Sequence, residues 1–347
     1  MRRLIFIVSL FVSLLLANNL RAGNEQRAGE AGAVQLLINP WAGAAGWNNS
    51  NMSSITGLEA LYLNVAGTAF VNKFDLGFTH TNYLRGADIN INNFGFTSKV
   101  GEAGALTAAV SLMSFGDISR TTVESPDGTG NTFSPKFSVI SAAYSRQFSN
   151  AIYGGAVIKL INESIDNAKA TGVAIDAGIQ YIAGERDNFR FGVSMQNVGP
   201  TMKYSGNALS LRGYTLDELN MTFDYQSAEC ELPSLIRIGL SNDFLLVEGH
   251  NLTLAGTFTS NSFTRDQYSV GVEYNALDYV LVRGGYCYEK DGFNSANRQT
   301  AFTGLSAGAT VQVPLNREKE TYLKIDYSYR DTNPFGGVHS IGIRVTL

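Results

Sequence analysis

The sequence predicts an all-β protein: a transmembrane antiparallel β-barrel of about fourteen strands with an N-terminal plug. From about residue 72 onward, apolar and polar side chains alternate with the period of a β-strand. Most alternating segments reach the roughly 9–11 residues that a tilted strand needs to cross a bilayer. The connections between them are alternately short and long, as at the two ends of a membrane barrel.

The composition agrees with a barrel and excludes other classes of protein. Charged residues make up only 16% of the chain, against roughly 25% in soluble domains. Because 44% of the residues are hydrophobic, the chain is not of the disordered type. The net charge of −4 lacks the basic excess that nucleic-acid binding requires, so no nucleic-acid partner is expected.

Residues 1–22 have the order of a secretory signal peptide. Two arginines precede an apolar stretch at residues 4–16, and small residues follow at Ala17 and Ala22. A single membrane anchor is the alternative, but the stretch is too short to span a bilayer. We therefore expect cleavage of this segment and localisation of the mature chain in the outer membrane of a Gram-negative bacterium.

Residues 23–70 do not alternate, and they contain both tryptophans of the chain, Trp41 and Trp47. The segment is rich in apolar and small residues, which a flexible tail would not need. We interpret it as a plug inside the barrel, with a periplasmic extension as the alternative. Residues 71–347 would then form the barrel in the lipid bilayer.

The alternating segments are the strand candidates. They span residues 72–82, 88–99, 103–117, 134–148, 151–163, 171–183, 187–198, 234–245, 250–260, 266–275, 278–288, 301–313, 320–330 and 337–347. In the segment 266–275, Val272 belongs to the apolar face, and Gly271 and Glu273 belong to the polar face. A soluble β-sandwich with one solvent-exposed face would show a similar alternation, but the length of its strands need not match the thickness of a bilayer. We therefore expect apolar side chains to face lipid and polar ones to face the lumen.

Connection lengths predict the orientation of the barrel. Short turns fall at 99–102, 150, 184–187 and 276–277, and long connections fall at 117–134, 198–233 and 289–300. Membrane barrels have short periplasmic turns and longer outer loops. We therefore place the long connections outside the cell.

Ionisable residues of both signs fall on the polar faces of the strands. They are Lys159, Asp176, Arg190, Glu273, Arg283, Lys324, Asp326 and Arg344. A selective pore usually needs one sign of charge at a constriction. We therefore interpret these residues as paired with one another or bonded to the plug.

The sequence gives little sign of catalytic chemistry. The histidines His80, His250 and His339 have no ligand at metal-binding spacing. One Gly-x-Ser-x-Gly match places Ser306 inside an alternating segment, whereas a nucleophile elbow needs a strand-to-helix turn. A hydrolase barrel is a minor alternative, and we expect no catalysis and no cofactor. Pairing of Cys230 with Cys287 stays open.

The long connection 198–233 is the predicted partner-binding site, because exposed aromatic and methionine side chains suit partner recognition. Its candidate residues are Tyr214, Leu216, Leu219, Met221, Phe223 and Tyr225. Two alternatives remain. The loop could fold over the barrel mouth and pack on itself, or it could form an apolar landing groove for lipid.

Three stretches resemble a known family. The first has two elements, GEAGAVQLLINPWAGAAG at 29–46 and ALYLNVAGTAF at 60–70; the second is FGVSMQNVGPTMKYSG at 191–206 and the third is ELPSLIRIGLS at 231–241. The first two elements resemble the N-terminal hatch of FadL-type barrels, and all of them in this order resemble more closely the PorV/PorQ proteins. The resemblance implies hatch roles for matching positions, although Val65 replaces the usual proline. These positions are Asn39, Pro40, Trp41, Asn64 and Gly67.

The resemblance also implies a function. PorV/PorQ proteins are outer-membrane components of the type IX secretion system of Bacteroidota. It implies a non-enzymatic docking, shuttle or accessory subunit for protein transport. Its partners would be the large translocon barrel or attachment-complex subunits, and cargo with a C-terminal signal domain. The alternative is a FadL-type channel for hydrophobic small molecules, which needs a continuous apolar path through the barrel.

Overall fold

A computed structural model describes residues 23–214, 217, 219–292, 298–316 and 321–347. The predicted signal peptide and the site candidate Leu216 lie outside the described residues. Among the described residues, no helix is long and apolar enough to cross a membrane.

Fourteen long strands in the described part of the chain form one closed antiparallel barrel, in which β1 pairs with both β2 and β14. They are β1 Phe74–Tyr83, β2 Ile89–Val100, β3 Gly104–Ser114, β4 Lys136–Gln147, β5 Ile152–Ile165, β6 Ala168–Ala183, β7 Phe189–Val198, β8 Leu235–Val247, β9 His250–Asn261, β10 Gln267–Ala276, β11 Val280–Glu289, β12 Phe302–Asn316, β13 Thr321–Thr332 and β14 Val338–Thr346. The predicted fold class and strand number are confirmed.

Each strand has an apolar outer face and a buried inner face. In β5, Ile158 is 56% exposed, whereas its neighbour Lys159 is 5% exposed. In β14, Ile343 is exposed and Arg344 is buried in the same way. The alternation of apolar and polar residues in the sequence therefore corresponds to the outer and inner faces of the barrel wall.

The two ends of the barrel differ in the length of their connections. We call one the short-turn end, where the described connections are 101–103, 148–151, 184–188, 248–249 and 277–279. The long-loop end carries the connections 115–135, 199–234 and 290–301, together with four shorter ones. This separation of short and long connections is the one that the sequence predicts.

The wall is irregular where β7 ends. Two residues of β7, Gln196 and Asn197, lie opposite the single residue Asp176 of β6, which is a β-bulge. Asn197 has φ of 59°, a conformation that asparagine tolerates better than most residues. The Asp176 carboxylate accepts a hydrogen bond from the Asn197 backbone N–H at 2.8 Å. Beyond this bulge the chain leaves the wall and enters the 199–234 connection.

Three pairs of short strands lie in the long connections. The strand Met202–Ser205 pairs with β6 and with Glu229–Cys230, so it extends the wall at the long-loop end. Ser210–Tyr214 pairs with Asn220–Asp224 to form a separate hairpin. Ile118–Ser119 pairs with Thr132–Phe133 in the 115–135 connection.

The residues before β1 run through the interior of the barrel. We call residues 33–71 the internal segment; it contains the short helices α1, Ala42–Ala45, and α2, Ala60–Leu63. It begins at the long-loop end, where the Gly32 N–H donates to the Glu231 carbonyl at 2.9 Å. It ends at the short-turn end, beside the hydrogen bond from Lys73 N–H to the Leu347 carbonyl. Its apolar side chains include some of the most buried of the described residues: Trp41, Met52, Leu58 and Leu63.

Candidate functional site

Inner-face side chains of the barrel bind the backbone of the internal segment. Its short helices leave many carbonyl groups without a partner, and a buried carbonyl needs a hydrogen bond. The Gln180 amide donates to the Ile55 carbonyl at 3.0 Å, and the Gln196 amide donates to the Leu63 carbonyl at 2.9 Å. These bonds replace missing helical ones and fix the path of the segment.

Two of the predicted hatch residues are asparagines that close turns in the internal segment. Asn39 accepts a hydrogen bond from the Trp41 N–H at 3.1 Å and donates to Asn49 Oδ1 at 2.9 Å. Asn64 accepts from the Ala66 N–H at 3.2 Å and donates to a barrel carbonyl in β6 at 3.0 Å. Both side chains are completely buried. Each asparagine therefore fixes a local turn, and Asn64 also binds the wall.

The remaining hatch residues are packed closely inside the barrel. A Cβ atom on Gly67 would lie 2.1 Å from the carbonyl oxygen of Ile55, so no other residue fits there without movement of the backbone. Trp41 is buried against the barrel wall at Gly77, and Pro40 is buried beside it. Val65, which stands where the family pattern has proline, is also buried.

Seven of the eight lumen-facing ionisable residues predicted from the sequence form an ion pair in the structure. Arg344 contacts Asp326 at 2.8 Å and Glu59 of the internal segment at 3.6 Å. Arg283 contacts Glu273 at 2.9 Å and also donates to the Gly43 carbonyl at 2.8 Å. The charges of these groups are thus compensated inside the barrel, and the two arginines connect the wall to the internal segment.

Residues 23–32 cross the mouth at the long-loop end, and we call them the N-terminal strap. Glu25 contacts Arg265 at 2.9 Å and Lys290 at 3.5 Å. The hydrogen bond from Arg265, with the charge of Lys290, lowers the pKa of the Glu25 carboxyl. Arg27 contacts Glu231 at 2.6 Å, and its guanidinium lies 4.2 Å from the ring centroid of Phe263. The strap therefore contacts three connections at this end: 199–234, 262–266 and 290–301.

A cavity of about 600 Å³ lies between the internal segment and the wall. Apolar side chains such as Met113, Phe137 and Phe302 form much of its lining. Two buried arginines, Arg237 of β8 and Arg330 of β13, also line it. Sequence reasoning missed both residues, although each alternates with outward-facing neighbours and so could have been assigned to the lumen.

The hairpin Ser210–Tyr214/Asn220–Asp224 has two different faces. Pairing of Leu211 with Phe223 and of Gly213 with Met221 puts these residues on one face, and Tyr225 follows on the same side. The predicted site residue Tyr214 lies on the opposite face, opposite Asn220, and Leu219 is exposed at the turn. The five candidates that the structure describes therefore do not form one surface. We call Leu211, Met221, Phe223 and Tyr225 the apolar hairpin face; each is at least 43% exposed.

The residues considered for catalysis are engaged in structural contacts. Ser306 lies within β12, and its hydroxyl donates to the Gly46 carbonyl at 2.9 Å. His80, His250 and His339 each hydrogen-bond to a side chain of an adjacent strand. Cys230 and Cys287 are free thiols. Within the described ranges, no group of three or more His, Cys, Asp or Glu residues could hold a metal ion.

A closed antiparallel wall with an apolar outer face and a polar, filled lumen defines a β-barrel of the outer-membrane type. A family model described as "Type IX secretion system protein PorV" matches residues 21–265. The chain belongs to the PorV family, which confirms the resemblance found in its motifs. No curated protein matches the chain in sequence.

Solved structures show the same fold at low sequence identity. The CymD monoaromatic hydrocarbon channel matches with a TM-score of 0.53 and 11% identity, over 89% of this chain and 97% of that one. The toluene transporter TodX of Pseudomonas putida matches with a TM-score of 0.53 and 13% identity, over the same shares of the two chains. At such identities the likeness establishes the FadL-like fold alone.

Proposed function

We propose that this protein is a non-enzymatic docking or shuttle subunit of the type IX secretion machinery in the outer membrane. The observation that carries the proposal is the apolar hairpin face, which projects from the long-loop end of a PorV-family barrel. Exposed apolar side chains grouped on one surface are characteristic of protein interaction sites. The partners would be the large translocon barrel, attachment-complex subunits, or cargo with a C-terminal signal domain.

The internal segment acts in this proposal as a plug. Its backbone is bound to several strands, and its buried side chains fill the middle of the barrel. A docking subunit has no need of an open lumen, whereas a channel must move or bypass this segment. The fixed segment therefore supports docking over conduction.

Orientation can be tested by labelling intact cells with a membrane-impermeant maleimide. In a background with Cys230→Ser and Cys287→Ser, we expect labelling of Val123→Cys, because Val123 is 95% exposed in the 115–135 connection. Arg186→Cys lies in the 184–188 turn and should be labelled only after the cells are lysed. The reverse pattern would place the long-loop end in the periplasm.

The apolar hairpin face can be tested with the triple variant Leu211→Ser, Met221→Ser, Phe223→Ser. Interface energy is concentrated in a few large side chains, each worth roughly 1–2 kcal/mol or more. We therefore expect co-purification with the translocon barrel to fall at least about tenfold and folded cargo to accumulate unreleased. Heat-shifted electrophoretic mobility should show an intact barrel, because the hairpin is separate from the wall.

The matched control changes the other face of the same hairpin. Ser210→Ala, Arg212→Ala and Thr222→Ala face away from the apolar side chains. This control should keep normal partner capture and cargo release. Normal secretion in the apolar-face variant, or equal loss in both variants, would refute docking through this face.

A channel for small hydrophobic molecules is the second candidate, and the cavity of about 600 Å³ favours it. Small-molecule sites have this size and a largely apolar lining. If this candidate is correct, uptake of a long-chain hydrophobic compound should require the protein, and secretion should not. The same strains therefore distinguish the two candidates.

A further inference from the structure

Three exposed lysines lie together on the barrel wall at the long-loop end, and we call them the outer lysine cluster. Lys136 of β4 and Lys169 of β6 lie on either side of β5, where both are opposite Ser164. Lys203, on the short strand beside β6, is a diagonal neighbour of Lys169, and its ammonium group donates to the Gln226 amide oxygen at 3.2 Å. Three strand spacings separate the first lysine from the last, so the cluster spans about 14 Å.

The side chains of the outer lysine cluster point away from the lumen. In β4 and β6 the lysines share a face with Ile140 and Val173, which are exposed on the outside of the wall. On the short strand, the residue before the lysine is Met202, which is buried, so the lysine itself points outward. The cluster therefore lies on the surface of the barrel that faces the lipid.

The position of the cluster along the strands corresponds to the headgroups of the bilayer. The last apolar row of this outer face consists of Ile140, Leu160 and Val173. The next row toward the long-loop end is polar and consists of Ser138, Asn162 and Thr171. The row after that holds two of the lysines, about 13 Å along the strands from the apolar row and less along the membrane normal, because the strands are tilted. This is the region where lipid headgroups follow the hydrocarbon core.

The positive charge of the cluster is not compensated by the protein. Within the described residues, none of the three lysines forms an ion pair. Glu229 lies opposite Lys203, but its carboxylate accepts a hydrogen bond from Thr201 instead. Asp166, in the adjacent turn, is paired with Arg120. Three ammonium groups and one carboxylate leave two net positive charges on this surface.

We propose that the outer lysine cluster binds the phosphate groups of a phosphorylated glycolipid in the outer leaflet. Lysine binds phosphate as a point charge, and basic residues beside a membrane attract anionic lipid headgroups. The acyl chains of the lipid would lie on the apolar row below, at Ile140, Leu160 and Val173. The spread of the cluster favours a headgroup with two phosphates over a single small ion. The proposal requires that the long-loop end faces outward, which the maleimide labelling tests separately, and it does not depend on the hairpin.

Native mass spectrometry of the purified protein in an uncharged detergent can measure this binding. The probe is diphosphorylated lipid A, and the control is dephosphorylated lipid A with the same acyl chains. We expect the diphosphorylated form to bind at least about tenfold more tightly, because several basic residues contribute to its binding. Inorganic phosphate in tenfold molar excess over the lipid should not displace it. Displacement would show a site for free phosphate and would contradict the proposal.

Substitutions test the assignment of the three lysines. The neutral variant combines Lys136→Gln, Lys169→Gln and Lys203→Gln. It should bind diphosphorylated lipid A at least about tenfold more weakly and leave binding of the dephosphorylated form unchanged. The charge-conserving variant combines Lys136→Arg, Lys169→Arg and Lys203→Arg, and it should bind like the wild type. Heat-shifted mobility should be the same in both variants, because the three side chains are exposed and make no ion pair in the described structure.

The matched control removes the same number of positive charges at the short-turn end. It combines Lys99→Gln, Arg146→Gln and Arg186→Gln, which are all exposed. This control should bind diphosphorylated lipid A like the wild type, because these positions lie at the other end of the barrel. The triple change of the apolar hairpin face should also leave lipid binding unchanged, so that failure of docking and failure of lipid binding can be distinguished.

Three results would overturn the proposal. The first is equal binding of diphosphorylated and dephosphorylated lipid A to the wild-type protein. The second is an equal loss of binding in the neutral variant and in the short-turn control, which would show an effect of net charge alone. The third is normal lipid A binding by the neutral variant, and a loss of co-purifying protein in that case would assign the cluster to an acidic partner protein.

Discussion

Replacing Asp326 by asparagine should lower the free energy of unfolding of the barrel by about 3–5 kcal/mol. Arg344 binds the Asp326 carboxylate through two nitrogens, at 2.8 and 3.1 Å, and Asp326 is almost completely buried. The neutral amide would leave Arg344 with Glu59 at 3.6 Å as its remaining carboxylate contact. The large effect follows because a buried charge would lose its main counter-charge in a low dielectric.

Urea unfolding of the protein in phospholipid vesicles can measure this loss. The matched control is Asp166→Asn, which breaks the pair with Arg120 at the long-loop end, where both side chains are partly exposed. An exposed pair contributes roughly 0–1 kcal/mol, so the control should unfold close to the wild type. Equal effects at the two positions would mean that the lumen is hydrated and that the buried pairs do not hold the internal segment.

Val272→Arg should destabilise the inserted barrel by roughly 2–4 kcal/mol and reduce the amount of folded protein in the outer membrane. Val272 lies in the middle of β10, on the outer face, and is 40% exposed. An arginine there would place its charge at the depth of the lipid chains. Folded and unfolded protein can be separated by heat-shifted mobility in extracts of purified membranes.

Val247→Arg is the matched control, because Val247 is exposed at the last position of β8, at the short-turn end. The cost of arginine near an interface falls to roughly 0–1 kcal/mol. The neighbouring change Gly271→Arg should fail for another reason, since a Cβ atom on Gly271 would lie 2.2 Å from Ser50 Oγ of the internal segment. Similar tolerance of arginine at Val272 and Val247 would argue that the outer face does not contact lipid.

Local patterns predicted the wall of the barrel and the sidedness of its strands. Ile158 and Lys159 are adjacent in sequence but lie on opposite faces, because successive side chains of a strand point in opposite directions. The mixed signs of Asp326 and Arg344 likewise predicted pairing, which the structure shows. These features depend on residues that are close along the chain or on adjacent strands, so they can be predicted from a single sequence.

Features that depend on distant contacts were less accessible. The hairpin was predicted only as an exposed apolar loop, and its register puts Tyr214 on one face and Met221 on the other. The motif residues Asn39 and Gly67 could be recognised by resemblance, but the reasons for them are turns and packing inside the barrel. The Asn39 turn joins near neighbours in the chain, whereas the close approach of Gly67 to the Ile55 carbonyl depends on how the whole internal segment folds inside the barrel.

By itself, the sequence determined that this chain forms a fourteen-stranded membrane barrel with an apolar outside and a charged inside, because β-strand periodicity and bilayer thickness leave few alternatives. Only the tertiary structure decided which charges are compensated. Arg283 of β11 and Arg237 of β8 both face inward, yet Arg283 meets Glu273, whereas Arg237 meets an amide and an aromatic ring. The difference arises from which strand and which part of the internal segment lies opposite each arginine, and that is set by the closure of the whole barrel.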